Sequence, residues 1–217
     1  MKEDEHTYAL FMLSASIWRI FYFPKERAFM KFTTRNIVVC GLFSAIAFIL
    51  TNIGNLIPIR FAGFLSFDPK DAIIVIAGFA LGPLATIIIS VAVAFIEAVT
   101  ISTTQIIGFI MNIISSVSFA LIPSLLYKKN RQFKTALIGL GISSVVTIIL
   151  MLLWNYLITP IYMQIPREAV ADMLLPVFLP FNAIKCAMNV VLVVVFYKPF
   201  VKALRKMVLL DPSKKKK

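Results

Sequence analysis

Long apolar stretches separated by short polar segments run through most of the chain and predict a bundle of membrane-spanning helices. An apolar stretch of about 20 residues is long enough to cross a bilayer as an α-helix. The second and third stretches are short, and Gly82 and Pro83 between them predict a tight turn. The pattern therefore predicts an all-α integral membrane protein with six transmembrane helices. These helices are predicted at residues 36–57, 72–81, 84–99, 105–127, 135–157 and 174–196.

Residues 1–29 depart from this pattern. An apolar run at residues 8–23 is interrupted by Arg19 and is short for a membrane span. Two interpretations remain open, an interfacial helix or a biological start at Met30. We predict three parts of the chain: an N-terminal extension at 1–29, a six-helix membrane domain at 30–206 and a basic tail at 207–217.

The distribution of charge predicts the orientation of the helices. Charged residues make up 15% of the chain and hydrophobic residues 60%, whereas a soluble domain has about a quarter charged residues. The net charge of +12 arises from lysines and arginines at the ends of the apolar stretches. This pattern indicates the positive-inside rule in a lipid bilayer and argues against a nucleic-acid partner. With six spans, both termini and the basic 128–134 loop are predicted to face the cytoplasm.

The last predicted helix contains a lysine in the middle of apolar sequence. Lys185 lies on the same helical face as Asn182 and Asn189. A charge at that depth costs at least about 2.5–3.5 kcal/mol, which makes it a candidate functional residue. Asn155 lies near the outer end of the fifth predicted helix, at a similar depth. We predict that Asn155, Asn182 and Lys185 line a ligand pocket that opens outward, although a single asparagine also serves as interhelical glue.

Glu97 and Asn112 are two further polar residues within apolar sequence. Glu97 could pair with Lys185, which would lower the cost of burying both charges. Alternatively, Glu97 could lie hydrated near the outer end of the third predicted helix. Both interpretations remain open.

The first outer loop ends in the sequence Phe67-Asp-Pro-Lys-Asp71. Two interpretations remain open: Asp71 could simply cap the next helix, or the segment could form a lid over the pocket, with Phe67 stacking on an aromatic ligand. In the first helix, Gly41 and Ala45 form a small-xxx-small pattern that lets another helix approach closely. That contact could lie within the bundle or with another subunit.

Motifs of covalent chemistry are absent from the sequence. There is no phosphate-binding Gly-x-x-x-x-Gly-Lys-Ser/Thr loop, no Gly-x-Ser-x-Gly elbow and no set of zinc ligands. The single histidine, His6, lies outside the predicted spans, and Cys40 and Cys186 are interpreted as packing residues. We therefore predict no enzyme activity, no catalytic residues, no cofactor and no metal.

Several motifs, taken together, resemble the riboflavin-specific substrate-binding subunits (S components, RibU type) of energy-coupling factor (ECF) transporters. The resemblance covers residues 31–206, and residues 1–29 fall outside it. The matching motifs are Phe-Asp-Pro-Lys-Asp at 67–71, Gly-Phe-Ala-Leu-Gly-Pro at 78–83, Ile-Gly-Phe-Ile-Met-Asn at 107–112, Leu-Trp-Asn-Tyr-Leu-Ile-Thr-Pro-Ile-Tyr-Met at 153–163, Pro-Arg-Glu-Ala at 166–169 and Leu-Pro-Phe-Asn-Ala-Ile-Lys at 179–185.

The resemblance implies a six-helix S-component fold that holds riboflavin in an outward-facing cavity. It implies that Asn155, Asn182 and Lys185 surround the flavin and that the loop ending at Phe67 and Asp68 covers it. Glu97 and Asn112 are further candidates for substrate binding.

The resemblance also implies partners and a location. A transmembrane scaffold subunit and two cytoplasmic ATPase subunits would drive riboflavin uptake across the plasma membrane of a prokaryote. The helix-one contact motif of the family would correspond to Gly41 and Ala45, where glycine replaces the first alanine of the family pattern. The alternative hypothesis is a self-sufficient proton-coupled transporter with Glu97 and Lys185 as its relay.

Overall fold

A computed structural model of the chain describes residues 34–56, 60–61, 65–66, 68–101 and 105–209. Within these residues the chain forms seven α-helices, one π-helical turn and a two-stranded antiparallel ribbon. The predicted N-terminal extension, Phe67 and residues 210–217 of the predicted tail lie outside the described residues. In chain order the elements are α1 (Thr34–Leu56), β1 (Arg60–Phe61), β2 (Leu65–Ser66), α2 (Lys70–Leu81), α3 (Pro83–Thr100), α4 (Gln105–Lys129), α5 (Phe133–Met163), α6 (Arg167–Met173), the π-helical turn (Leu174–Phe178) and α7 (Leu179–Leu209).

The long helices confirm the prediction of an all-α membrane protein. Five spans in the described residues are long and apolar enough to cross a membrane, and they correspond to α1, α3, α4, α5 and the stretch from α6 into α7. The remaining predicted helix, at residues 72–81, corresponds to α2, which has 12 residues and lies inside the bundle. Gly82 joins α2 to α3 with a φ of 97°, a conformation that glycine adopts without steric cost, so the predicted tight turn is confirmed.

The chain between the fifth and sixth predicted helices, which end at residue 157 and begin at residue 174, is helical over most of its length. The α5 helix continues past Pro160 and ends at Met163, where Gln164 adopts a left-handed conformation. A proline is tolerated in a membrane helix because neighbouring groups satisfy the freed carbonyl. The short helix α6 follows, and the chain enters α7 through the π-helical turn, which contains Pro176.

The α2 helix forms the centre of the bundle and packs against α1, α3, α4 and α7. Ile74, Val75 and Ala77 are completely buried, so no broad face of α2 is left for lipid. The exposed apolar side chains lie instead on the long helices, for example Leu42 of α1 and Ile149 of α5. Because α2 is enclosed, the charged residues at its N-terminus are enclosed with it.

The two ends of α2 have opposite chemistry. At its C-terminal end, the Phe79 ring packs on Tyr127 with ring centroids 4.3 Å apart. The hydroxyl groups of Tyr127 and Tyr197 lie 3.2 Å apart beside it. At the N-terminal end, Lys70 and Asp71 are buried among polar side chains from the surrounding helices. The polar end of the bundle is therefore the place to look for a functional site.

Candidate functional site

Lys70, the first residue of α2, is the centre of a buried ionic cluster. Its ammonium Nζ lies 2.7 Å from Oδ2 of Asp68 and also bonds the carboxylate of Glu97 from α3. The side chain of Lys70 is only 1% exposed. We call this residue and the side chains bonded around it the Lys70 cluster, which consists of Thr51, Asp68, Lys70, Glu97 and Asn112.

Neighbouring helices complete the hydrogen bonding of the Lys70 cluster. The Thr51 hydroxyl of α1 lies 3.0 Å from Oδ1 of Asp68 and 2.9 Å from Oε1 of Glu97. The Asn112 amide of α4 donates to Oε2 of Glu97 at 3.1 Å. Burial raises the pKa of Asp68, but the positive charges of Lys70 and Lys185 act in the opposite direction and hold its pKa below the ordinary value. Residues of α1, α3 and α4 thus all contribute to neutralising or hydrogen-bonding the buried charges of the Lys70 cluster.

A second cluster surrounds Lys185 of α7. Its ammonium Nζ lies 3.5 Å from Oδ2 of Asp71 and 3.4 Å from the Ser115 hydroxyl of α4. The Ser116 hydroxyl donates to Oδ1 of Asp71 at 2.5 Å. The Lys185 side chain is 13% exposed, so it is more accessible than Lys70. The Lys185 cluster means Asp71, Ser115, Ser116 and Lys185.

Asn189 connects the two clusters from α7. Its Oδ1 accepts a hydrogen bond from the Ala72 backbone N–H at 3.0 Å. Its Nδ2 lies 3.2 Å from the Asp68 carbonyl oxygen and 3.0 Å from the Lys185 carbonyl oxygen. A buried side chain with these three partners ties the first turn of α2 to the middle of α7.

The structure supports neither of the two open interpretations of Glu97. Glu97 pairs with Lys70, and Lys185 pairs with Asp71. Glu97 is also buried, so it is not the hydrated residue of the other interpretation. Asp71 does not cap α2, because the helix begins one residue earlier and the Asp71 carboxylate contacts α4 and α7 instead.

Lys70 is a residue of this polar region that the sequence alone does not identify as buried. The sequence places it at the end of the first outer loop, because a run of charges next to a proline usually marks the water-exposed end of a span. The signal that could have found it is the adjacency of Lys70 and Asp71 at the start of an apolar helix. Such a pair can enter the bundle only if each charge finds a partner there.

Asn155 and Asn182 are buried, and their side chains bond to residues one helical turn away. The Asn155 amide donates to the Met151 carbonyl at 2.7 Å, and the Asn182 amide donates to the Phe178 carbonyl at 2.7 Å. Oδ1 of Asn155 also accepts a hydrogen bond from the Thr159 hydroxyl at 2.9 Å. Their contact with a ligand stays a prediction, as does the role of Phe67.

The small residues of α1 divide between the inside and the outside of the bundle. Cys40 and Ser44 are buried, whereas Gly41 and Ala45 are exposed. A Cβ atom added at Gly41 would meet nothing within 4 Å. The Gly41 and Ala45 face is therefore open for lipid or for another helix.

Lys185 has the hydrogen-bonding capacity that a ligand contact needs. An ammonium group has three donor hydrogens, and the two contacts of Lys185 are at the long limit for hydrogen bonds. A carbonyl or hydroxyl of a ligand could therefore compete for it. In the described part of the chain, no group of His, Cys, Asp or Glu is placed to hold a metal ion.

The sequence profile of the family described as "ECF transporter, substrate-specific component" matches residues 35–197. The chain belongs to this family of ECF substrate-specific components. Membership confirms the predicted S-component fold, and it agrees with the prediction that the chain is not an enzyme. It also assigns this S component to the plasma membrane of a prokaryote as a multi-pass protein.

Two known proteins resemble this S component over most of their lengths. The riboflavin transporter RibU of Staphylococcus aureus (strain TCH60) is 28% identical over 170 residues, which are 76% of this chain and 89% of that protein. A solved structure of the S component of a bacterial ECF transporter superposes with a TM-score of 0.66 and 26% identity. That superposition covers 78% of this chain and 97% of the solved chain.

Proposed function

We propose that this S component binds riboflavin at the outer face of the membrane and mediates its uptake as a subunit of an ATP-driven ECF transporter. The family match over residues 35–197 carries the proposal. The choice of riboflavin is supported by the similarity to a riboflavin transporter along 89% of that protein. The chain itself supplies binding, and hydrolysis of ATP belongs to its partner subunits.

In the proposed binding site, Lys185 donates a hydrogen bond to a carbonyl or hydroxyl of the flavin. Its long contacts with Asp71 and Ser115 support this role, because they can be exchanged at little cost. An asparagine amide has two N–H bonds, and those of Asn155 and Asn182 each engage one helix carbonyl. We assign the second N–H of each amide to the polar edge of the flavin.

Four other predicted site residues are proposed to cover the ligand or to support the residues that contact it. Phe67 and Asp68, at the end of the first outer loop, are proposed to cover the flavin. Glu97 and Asn112 bond each other within the Lys70 cluster, which supports a role in holding the start of α2 in place.

We further propose that a transmembrane scaffold subunit docks on the exposed Gly41 and Ala45 face of α1, with two ATPase subunits and both termini of the chain on the cytoplasmic side. The prediction is that Gly41→Leu leaves riboflavin affinity unchanged and lowers scaffold-dependent uptake by at least about tenfold, because close helix packing needs small side chains. Gly141→Leu is the matched control, since Gly141 of α5 is also exposed with open space around it. An equal loss of uptake in both variants would argue against docking on α1.

The proposed function is tested first on the purified protein. The visible absorbance of a co-purified flavin, and quenching of riboflavin fluorescence on titration, are the expected signs of binding. In liposomes, binding without accumulation is expected until the scaffold and ATPase subunits are added. Accumulation driven by a proton gradient alone would instead support the self-sufficient transporter, whose two relay residues have different partners in the structure, Lys70 for Glu97 and Asp71 for Lys185.

A further inference from the structure

The two clusters contain no positive charge that lacks a nearby negative charge. Lys70 lies between the carboxylates of Asp68 and Glu97. Lys185 lies 3.5 Å from Asp71, whose side chain is 2% exposed. Because these groups are largely removed from water, salt screens their interactions much less than it screens surface charges.

This compensation constrains the charge of a ligand that binds Lys185. An uncharged carbonyl or hydroxyl can accept a hydrogen bond while the ammonium keeps its carboxylate partner. A phosphate group carries about two negative charges, and it would have to approach a cation that Asp71 already neutralises. Burying such an anion without a free cation is costly.

The structure also shows why Asp71 is held in this position. The Ser116 hydroxyl fixes one carboxylate oxygen, and the other faces Lys185. The next residue of α2, Ala72, is tied to α7 through Asn189. The Asp71 side chain can therefore turn away from Lys185 only by giving up its hydrogen bond with Ser116.

On the basis of the proposed function, we propose that Asp71 is a specificity-determining residue that restricts the site to uncharged flavins. By neutralising Lys185, it disfavours flavin mononucleotide, the phosphate ester of riboflavin. Asp71 acts through Lys185 and needs no contact of its own with the flavin.

The test compares the affinities of riboflavin and flavin mononucleotide, measured by fluorescence quenching at one salt concentration. Asp71→Asn keeps the size of the side chain and the acceptor for Ser116 but removes the charge. It is expected to raise the affinity for flavin mononucleotide relative to riboflavin by about tenfold or more, the scale of two unit charges about 10 Å apart at an effective dielectric constant of about 20. Asp71→Glu keeps the charge and is expected to retain the wild-type ratio.

The ratio of the two affinities separates specificity from structural damage, because a distorted site would weaken both ligands together. An unchanged ratio in Asp71→Asn, or an equal change in Asp71→Glu, would overturn the inference. Lys185→Met provides an independent test with the opposite sign, since it leaves Asp71 uncompensated and should shift the ratio towards riboflavin. A shift towards flavin mononucleotide would overturn the inference, whereas a wild-type protein that binds neither flavin would overturn the proposed function itself.

Discussion

The Lys70 and Lys185 clusters use the same chemistry inside the bundle but differ in how completely each ammonium is enclosed. Lys70 is 1% exposed and lies 2.7 Å from Asp68, with Glu97 as a second carboxylate partner. Lys185 is 13% exposed, and its contacts with Asp71 and Ser115 are 3.5 and 3.4 Å long. The difference supports the proposal that the first lysine serves the fold, while the second keeps hydrogen-bonding capacity for a ligand.

Helix geometry explains how adjacent residues come to serve different clusters. Successive side chains on an α-helix point about 100° apart, so Lys70 and Asp71 face different neighbours. Lys70 meets α3, whereas Asp71 meets α4 and α7. Because α2 is enclosed, both side chains point into the bundle. One helical turn therefore supplies a cation to the Lys70 cluster and a carboxylate to Lys185.

The largest effect is expected from breaking the Lys70 cluster. Lys70→Met leaves the carboxylates of Asp68 and Glu97 buried without a cation, which is expected to lower the free energy of unfolding by about 3–5 kcal/mol. Unfolding in detergent, followed by tryptophan fluorescence, measures the change. The control is Lys134→Met, which removes an exposed lysine of α5.

The Lys70 prediction has a clear contrary outcome. If Lys70→Met were no less stable than Lys134→Met, the Lys70 cluster would not be the anchor of the fold. A structural role for Lys70, in contrast to a ligand-binding role for Lys185, would then be unsupported.

The second expected effect is on binding. Lys185→Met should weaken riboflavin binding by about 1.5–3 kcal/mol, the range for a hydrogen bond to a charged group, and it should cost less stability than Lys70→Met. Fluorescence quenching gives the affinity, and the same unfolding experiment gives the stability. Unchanged affinity in well-folded Lys185→Met would contradict the assignment of Lys185 to the ligand.

The apolar stretches were sufficient to predict the long helices, because length and hydropathy decide whether a segment can cross a bilayer. The polar face of Lys185, Asn182 and Asn189 also followed from helical spacing alone. The end of α5 did not, since Pro160 normally argues against a continuing helix and only neighbouring groups make it tolerable.

The pairing of charges could not be read from the sequence, because it depends on which helices are neighbours. Glu97 and Lys185 are both buried charges of opposite sign, so pairing them was the simplest hypothesis. The structure places Lys70 beside Glu97 and Asp71 beside Lys185. Lys70 and Asp71, the two partners, lie in a segment that the sequence predicts to be the end of a loop.

The smallest predicted effect tests whether the two clusters act together. Asn189→Ala removes the acceptor for the Ala72 N–H and the donor to the Asp68 and Lys185 carbonyls, and is expected to lower stability by about 1–3 kcal/mol. Asn130→Ala, at an exposed position between α4 and α5, is the control. Because Asn189 joins the first turn of α2 to α7, we expect riboflavin affinity to fall as well. If stability fell while affinity stayed the same, the start of α2 would not position Lys185, and the two clusters would be independent parts of the fold.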